Sequence, residues 1–407
     1  MAYIKRDLEA EILEISKEYS CILVTGPRQV GKTTMLRHIM TPERKYITLD
    51  DLDERRLART DPALFIVQHP APVLIDEVQY APELFSYIKI AVDNGAAPGS
   101  FWMTGSQSFR LMDLAQESLA GRMALIYMSS LSQHEIYGTG ENEPFVLEWD
   151  ALKRRSAAYA PADIGGIYER IWKGSMPGLV SGQHTKRDLF YSSYLHTYIE
   201  RDVSDMVERV DKLMFQDIIR AAACRAGQML NVHDIAADVG VSNDTARRWL
   251  AVLEKSNVIF YLRPYSENLL KRTVKTPKMY FFDTGLVAYL TRYPSPEILA
   301  GGAINGAILE NYVVAEILKS YSNAAEECQM WYYRDSNAKE IDILTELGGE
   351  LHPMEIKRSI SPSDKLLNAF KVLDKGRLPR GRGAVICMKP ELAIADAANF
   401  IVPVWML

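Results

Sequence analysis

The chain begins with short apolar runs alternating with stretches where apolar side chains recur every three or four residues. Residues 21–25 (CILVT) form a β-branched run that stops at Gly26, and Met35, Leu36 and Ile39 then follow at helical spacing. Residues 45–49 (KYITL), 73–75 with their flanks and 101–104 repeat the apolar pattern. Continuous apolar strands separated by helices predict a parallel sheet covered on both faces. Residues 140–166 are rich in acidic residues, Gly, Pro and Ala (GTGENEP, AAYAPADIGG), which predicts a loop or boundary. From about 168 to 255 the spacing is mostly helical. After about 302 an α/β pattern returns: a helix at 307–321, strands at 329–334, 340–346 and 350–357, a helix near 364–373 and a strand at 383–388. The expected organisation is α/β at 1–165, a helical middle at 166–300 and a second α/β unit at 301–407.

At 407 residues the chain has the length of two or three domains and can bury a large core without staples. Lys plus Arg is 47 against 52 Asp plus Glu, a net charge of −5, so no global field marks a nucleic-acid binder. A local basic face remains open. Cys21, Cys224, Cys328 and Cys387 lie far apart without a C-x-x-C pair, which argues against a zinc ribbon, a dithiol redox site or a disulfide framework. No apolar run approaches the ~20 residues of a membrane helix, and the charged start MAYIKRDLEAEILE is no signal peptide. A cytoplasmic protein with no membrane contact is expected.

The first chemistry lies at Gly26, Pro27, Arg28, Gln29, Val30, Gly31, Lys32 and Thr33, which match G-x-x-x-x-G-K-[ST] with a strand before and a helix after. Glycines let backbone N–H groups turn toward phosphate oxygens at the helix N-terminus. Lys32 would reach the β- and γ-phosphates of ATP, and Thr33, followed by Thr34, would ligate Mg2+. Residues 73–77 (VLIDE) end an apolar strand in two carboxylates, Asp76 for the Mg2+ shell and Glu77 as general base for water. Thr104, Ser106 or Gln107 at the next strand exit would sense the γ-phosphate or orient the water; an ordinary polar strand exit is the competing explanation. Arg122, in LAGR, is either an arginine finger or a surface arginine.

GPRQVGKTT, VLIDEVQ, WMTGSQ and LAGR, in this order, resemble a branch of bacterial and archaeal AAA+ ATPases over roughly the first 140 residues. The resemblance implies a nucleotide site completed by a neighbouring subunit, hence a homo-oligomer. HTYIERDV, with Arg201 and Asp202, is similar to the same branch; the pair is either a subunit salt bridge or a solvated helical pair.

In the middle segment a short helix at 232–239, the Gly240 turn, Ser242 as N-cap, a second helix and a strand-like IFYL resemble a winged helix-turn-helix. Arg247 or Arg248 would meet DNA phosphate, although Asp244 opposes it and such units also serve as lids. In the last segment Glu310 lies on a helix, Asp342 on a strand, and Glu355 and Lys357 two apart on one strand face. Glu310, Asp342 and Glu355 could hold Mg2+ or Mn2+, with Lys357 orienting water. The order resembles the PD-(D/E)XK nuclease fold over roughly the last 105 residues, without a Pro before the Asp. The whole chain resembles AAA+ proteins with a winged helix and a nuclease-like C-terminus, and Phe282-Asp283-Thr284-Gly285-Leu286 fits that pattern without an evident chemistry. These features predict a Mg2+-dependent ATPase whose cycle controls a nuclease-like domain in contact with DNA. The alternative is a regulatory switch whose C-terminal domain is an inactive scaffold for a protein partner.

Overall fold

A computed structural model describes residues 3–106, 119–140, 142–198, 211–266, 276–335 and 339–407. Its first sheet contains β1 (Cys21–Gly26), β2 (Lys45–Thr48), β3 (Val73–Asp76), β4 (Phe101–Ser106) and β5 (Met123–Tyr127), all parallel, in the order β2-β3-β4-β1-β5. Every residue of β1 and β3 is buried, as expected of strands with helices on both faces. The two faces carry separate cores, one around Phe65, Phe85 and Met103, the other around Leu8, Met35 and Trp102. Because the strands are parallel, Gly26, Asp76 and Ser106 all come to one edge, where ligands of such sheets bind. β5 is absent from the pattern reading above: it is the edge strand and only partly buried.

The middle segment is helical apart from a three-stranded antiparallel sheet of β6 (Gln228–Met229), β7 (Ile259–Leu262) and β8 (Lys278–Phe281), in the order β6-β8-β7. Gly240 closes the helix Val232–Val239 at φ 78°, and the Ser242 side chain accepts from Thr245 N at the start of the helix Asn243–Lys255. The expected loop at 140–166 contains the helix Trp149–Ala158, held by buried Ala151 and Leu152 that its composition concealed. Asp283 is buried. It accepts from Tyr191 OH and Leu286 N at 2.7 Å and from Ser175 N at 2.7 Å, which gives FDTGL a structural reason: it caps one helix and pins a turn of another segment.

The last segment forms a second, mixed sheet from β9 (Met330–Arg334), β10 (Glu340–Leu347), β11 (Glu350–Lys357), β12 (Gly383–Cys387), β13 (Ala393–Ile394) and β14 (Asn399–Pro403). Its order is β13-β14-β12-β11-β10-β9, with β11, β12 and β14 parallel. β13 and β14 are absent from the pattern reading above, the first being only two residues long, and the helix expected near 364–373 is a 3-10 run, Asp364–Lys375. The long helix Asn305–Ser322 packs on both β8 and β11. One hydrophobic core consequently runs from Phe145 to Leu407 through the middle and last segments.

Candidate functional site

The phosphate loop follows β1. Gly26 has φ 146°, and a Cβ there would meet Met128 O at 2.0 Å, so only glycine fits. Gly31, at φ 95°, starts the helix Lys32–Ile39 from a left-handed residue. The Lys32 ammonium is buried in the loop, donating to Gly26 O at 2.9 Å and Pro27 O at 2.7 Å. Arg28 is half-buried, while Gln29, Val30, Gly31 and Thr34 line a cavity of about 510 Å3 beside the loop. Tyr3, Pro177, His184 and Phe190 form its other walls. None of these four carries a motif, and the motif reading missed them.

Thr33 Oγ1 donates to Asp76 Oδ1 at 2.7 Å. Thr104 Oγ1 donates to the same oxygen, and Tyr46 OH donates to Asp76 Oδ2 at 3.0 Å. β4 lies between β1 and β3, so Thr104 bridges the strand gap that separates loop from carboxylate. Of the three strand-exit candidates, Thr104 is therefore seated at Asp76. Ser106 ends β4 at the same edge, and Gln107 lies outside the described residues. Glu77 takes a left-handed conformation at φ 58°, which costs a non-glycine residue on the order of 1–2 kcal/mol and turns it away from the strand line. Its N–H donates to Thr104 Oγ1 at 3.2 Å, and Gln79 donates to its carboxylate. A hydroxyl and a carboxylate in contact beside a phosphate cradle are the donor set that Mg2+ takes in such sites, so Thr33 and Asp76 fit that ion.

Behind the loop, Arg6 is 3% exposed. It donates from Nη1 to Val30 O at 2.7 Å, from Nη2 to Ser129 O at 2.9 Å, and from Nε to Glu135 Oε1 at 2.7 Å. Arg122 pairs with Asp93 at 2.5 Å. It precedes Met123, which lies beside Cys21 at the opposite end of β1 from the phosphate loop, roughly 16 Å away along the strand. It does not reach its own chain's loop. Arg201 and Asp202 lie outside the described residues.

At the other end of the chain, Glu310, Asp342, Glu355 and Lys357 do come together, but around lysines. Lys357 Nζ lies 2.8 Å from Glu355 and 3.5 Å from Asp342. Lys278 Nζ, from β8, lies 2.8 Å from Glu310, 2.7 Å from Glu340 and 4.0 Å from Asp342. Tyr280 OH also donates to Glu310, at 2.6 Å. The ladder between β9 and β10 shifts register between Ile341 and Leu344, and Asp342 Oδ2 accepts Ile356 N at 2.8 Å. The β10–β11 ladder runs only to Ile343–Met354, and Asp342 carries the contact to β11 beyond that pair. Among the described residues no three His, Cys, Asp or Glu are arranged to hold an ion. Physically, Glu310 faces one ammonium and Glu355 another.

The phosphate loop and the strand-end carboxylates fall inside a segment with known relatives. Residues 18–137 match the AAA domain family. The N-terminal third of the chain is thus an AAA-type P-loop ATPase domain. Residues 165–297 and 305–407 match two domains of unknown function, DUF8612 and DUF4143. Curated proteins of Mycobacterium bovis and Mycobacterium tuberculosis, both described as uncharacterized, are each 29% identical over 363 residues, 88% of this chain and 75% of their own length. Among solved structures, a Walker-type ATPase of Pyrococcus abyssi aligns at 17% identity and a TM-score of 0.44, covering 70% of this chain and 94% of that one. DnaA from Aquifex aeolicus, bound to AMPPCP, aligns at 12% identity and a TM-score of 0.29, covering 61% and 86%.

The AAA domain is tied to the last segment by buried polar contacts. Gln133 N donates to Glu316 Oε2 at 2.8 Å, and Lys319 Nζ donates to Leu131 O at 3.0 Å while pairing with Glu316 at 2.9 Å. Both side chains belong to the long helix that carries Glu310 nearer its start.

In the carboxylate cluster, burial and then the Asp342 charge push the Glu355 carboxyl up to about 8, with Lys357 only partly opposing. The same two causes raise Glu310, against Lys278. The folded state keeps on Glu355 a proton that an unfolded glutamate releases near ~4.3. Stability therefore falls as pH rises from that value through about 8. Glu355→Gln removes this dependence. Its melting temperature should match the wild type near pH 4 and exceed it at pH 9; a difference constant across pH would count against the shifted carboxyl.

Proposed function

We propose that the chain is a Mg2+-dependent ATP-hydrolysing switch, cytoplasmic and homo-oligomeric when active, whose C-terminal domain is a scaffold that docks a partner. The observation that carries this reading is the contact of Thr33 and Thr104 with Asp76, beside a lysine-bearing phosphate loop and Glu77. Bound Mg2+ would neutralise phosphate charge, held by Thr33 and Asp76. Lys32 would exchange its two loop carbonyls for the β- and γ-phosphates, and Glu77 would take the proton of the attacking water. The cavity of about 510 Å3 has the size for the base and sugar, between Tyr3 and the His184–Phe190 wall. The nucleotide state would pass from Val30 through Arg6 and Glu135 to the 131–135 turn, which Glu316 and Lys319 grip.

In this reading Arg122, which lies at the far end of β1 and pairs with Asp93, would serve a neighbouring chain's phosphates. ATP turnover by the full chain should require Mg2+. Arg122→Ala and Glu77→Gln should each be impaired and should regain turnover when mixed. Failure at every mixing ratio would remove the arginine from the site.

A second reading, a nucleotide-controlled nuclease acting on DNA, has support in the gathering of Glu310, Asp342, Glu355 and Lys357. The winged-helix reading of the middle segment supports it too, since Arg247 and Arg248 are exposed on the second helix. Lys278 favours the switch. DNA cleavage in Mg2+ or Mn2+ that Asp342→Asn abolishes would reverse that preference.

A further inference from the structure

The residue that organises the C-terminal carboxylates comes from outside the segment that bears them. Lys278 stands on the middle sheet, opposite Met229 of β6, and is 4% exposed. Its ammonium sits at hydrogen-bond distance from Glu310 on the long helix and Glu340 on β10, with Asp342 4.0 Å away. Asp342 turns its other oxygen to Lys357 and to the Ile356 N–H, and Lys357 takes Glu355. The carboxylates are thus divided between two ammonium groups.

Lys278 is also held there. Two residues along β8, Tyr280 donates to Glu310. At the end of the strand, the wholly buried Asn311 pairs with both backbone groups of Phe281, accepting its N–H at 2.8 Å and donating to its carbonyl at 2.7 Å. Adjacent residues of the long helix, Glu310 and Asn311, therefore fix the strand that delivers the lysine. A divalent ion draws carboxylate oxygens to about 2.0–2.6 Å. That position and the ammonium position among the same oxygens exclude one another, since two cations cannot share so small a space.

We infer that Lys278 is a resident cation, filling the place in the Glu310, Glu340 and Asp342 cluster that a divalent metal would otherwise take. The C-terminal domain then binds no Mg2+ or Mn2+ at these carboxylates, and the middle segment is joined to it through their neutralisation. The inference rests on the scaffold reading of this domain and is independent of ATP hydrolysis.

Mn2+ binding to the nucleotide-free full chain, counted by electron paramagnetic resonance, tests it. Wild type and Asp342→Asn should bind the same number of ions. Lys278→Ala should gain one Mn2+ per chain, and Lys278→Ala with Asp342→Asn should lose it again. Asp342-dependent Mn2+ in the wild type would overturn the inference, as would a folded Lys278→Ala chain with no added ion. If Lys278→Ala does not fold, Lys278→Ala with Glu340→Gln relieves one buried charge and carries the same count. Wild type that binds Mn2+ at Asp342 yet leaves DNA intact overturns the resident cation alone; cleavage of DNA overturns the scaffold reading with it.

Discussion

Lys32→Ala is expected to abolish nucleotide binding, whereas Glu77→Gln should bind ATP normally and hydrolyse it at least about a hundredfold more slowly. The two residues act at different stages. The Lys32 ammonium is already desolvated and bonded to Gly26 O and Pro27 O, and a triphosphate offers it charged oxygens in exchange. Alanine leaves the loop carbonyls without that donor and the phosphates without their cation. Glu77 follows Asp76 at the end of β3. It is aimed by its left-handed backbone, by its N–H bond to Thr104 and by Gln79, so glutamine keeps the shape of the site and removes the base. Fluorescent-nucleotide titration and phosphate release separate the outcomes. Equal turnover in wild type and Glu77→Gln would sink the assignment of the base.

Arg6→Ala should destabilise the fold by about 3–5 kcal/mol, the usual cost of stripping one partner from a buried ion pair. The Glu135 side chain is wholly buried and would keep only backbone donors, Asp7 N at 3.1 Å and Ser132 N at 2.8 Å. Val30 O and Ser129 O would lose their donors as well. Nucleotide affinity should drop in parallel, because Val30 belongs to the phosphate loop. Adding Glu135→Gln should recover part of the lost stability by removing the stranded charge. Urea denaturation of the wild type and the two variants measures both effects, and a loss below ~1 kcal/mol for Arg6→Ala would contradict the pinning role.

What could be read from the sequence divides along a physical line. The phosphate loop, Thr33 and the Asp76–Glu77 pair follow from local rules, since their neighbours along the chain fix the conformation that the chemistry needs. The α/β, helical, α/β order follows from periodicity for the same reason. Arg6 and Tyr3 contribute from a segment that precedes the motif, which no local pattern encodes, and only strand order singles out Thr104 among the strand-exit candidates. Lys278 shows the limit most clearly. Glu310, Asp342, Glu355 and Lys357 stand along the sequence in the order of a metal site. The ammonium that divides them comes from a strand more than thirty residues upstream of Glu310. The role of Asp342 is equally hidden, because its contact with the Ile356 N–H, beyond the last β10–β11 pair, is a property of paired strands.

The single hydrophobic core from Phe145 to Leu407 has a consequence for how such chains can be rearranged. The family match that begins at residue 305 marks where sequence similarity changes, yet folding does not divide there. A fragment cut at that point would keep Glu310, Glu340 and Asp342 without their ammonium and would expose the face of the long helix that covers β8. The middle and last segments therefore share one core, and a cut between them would open it.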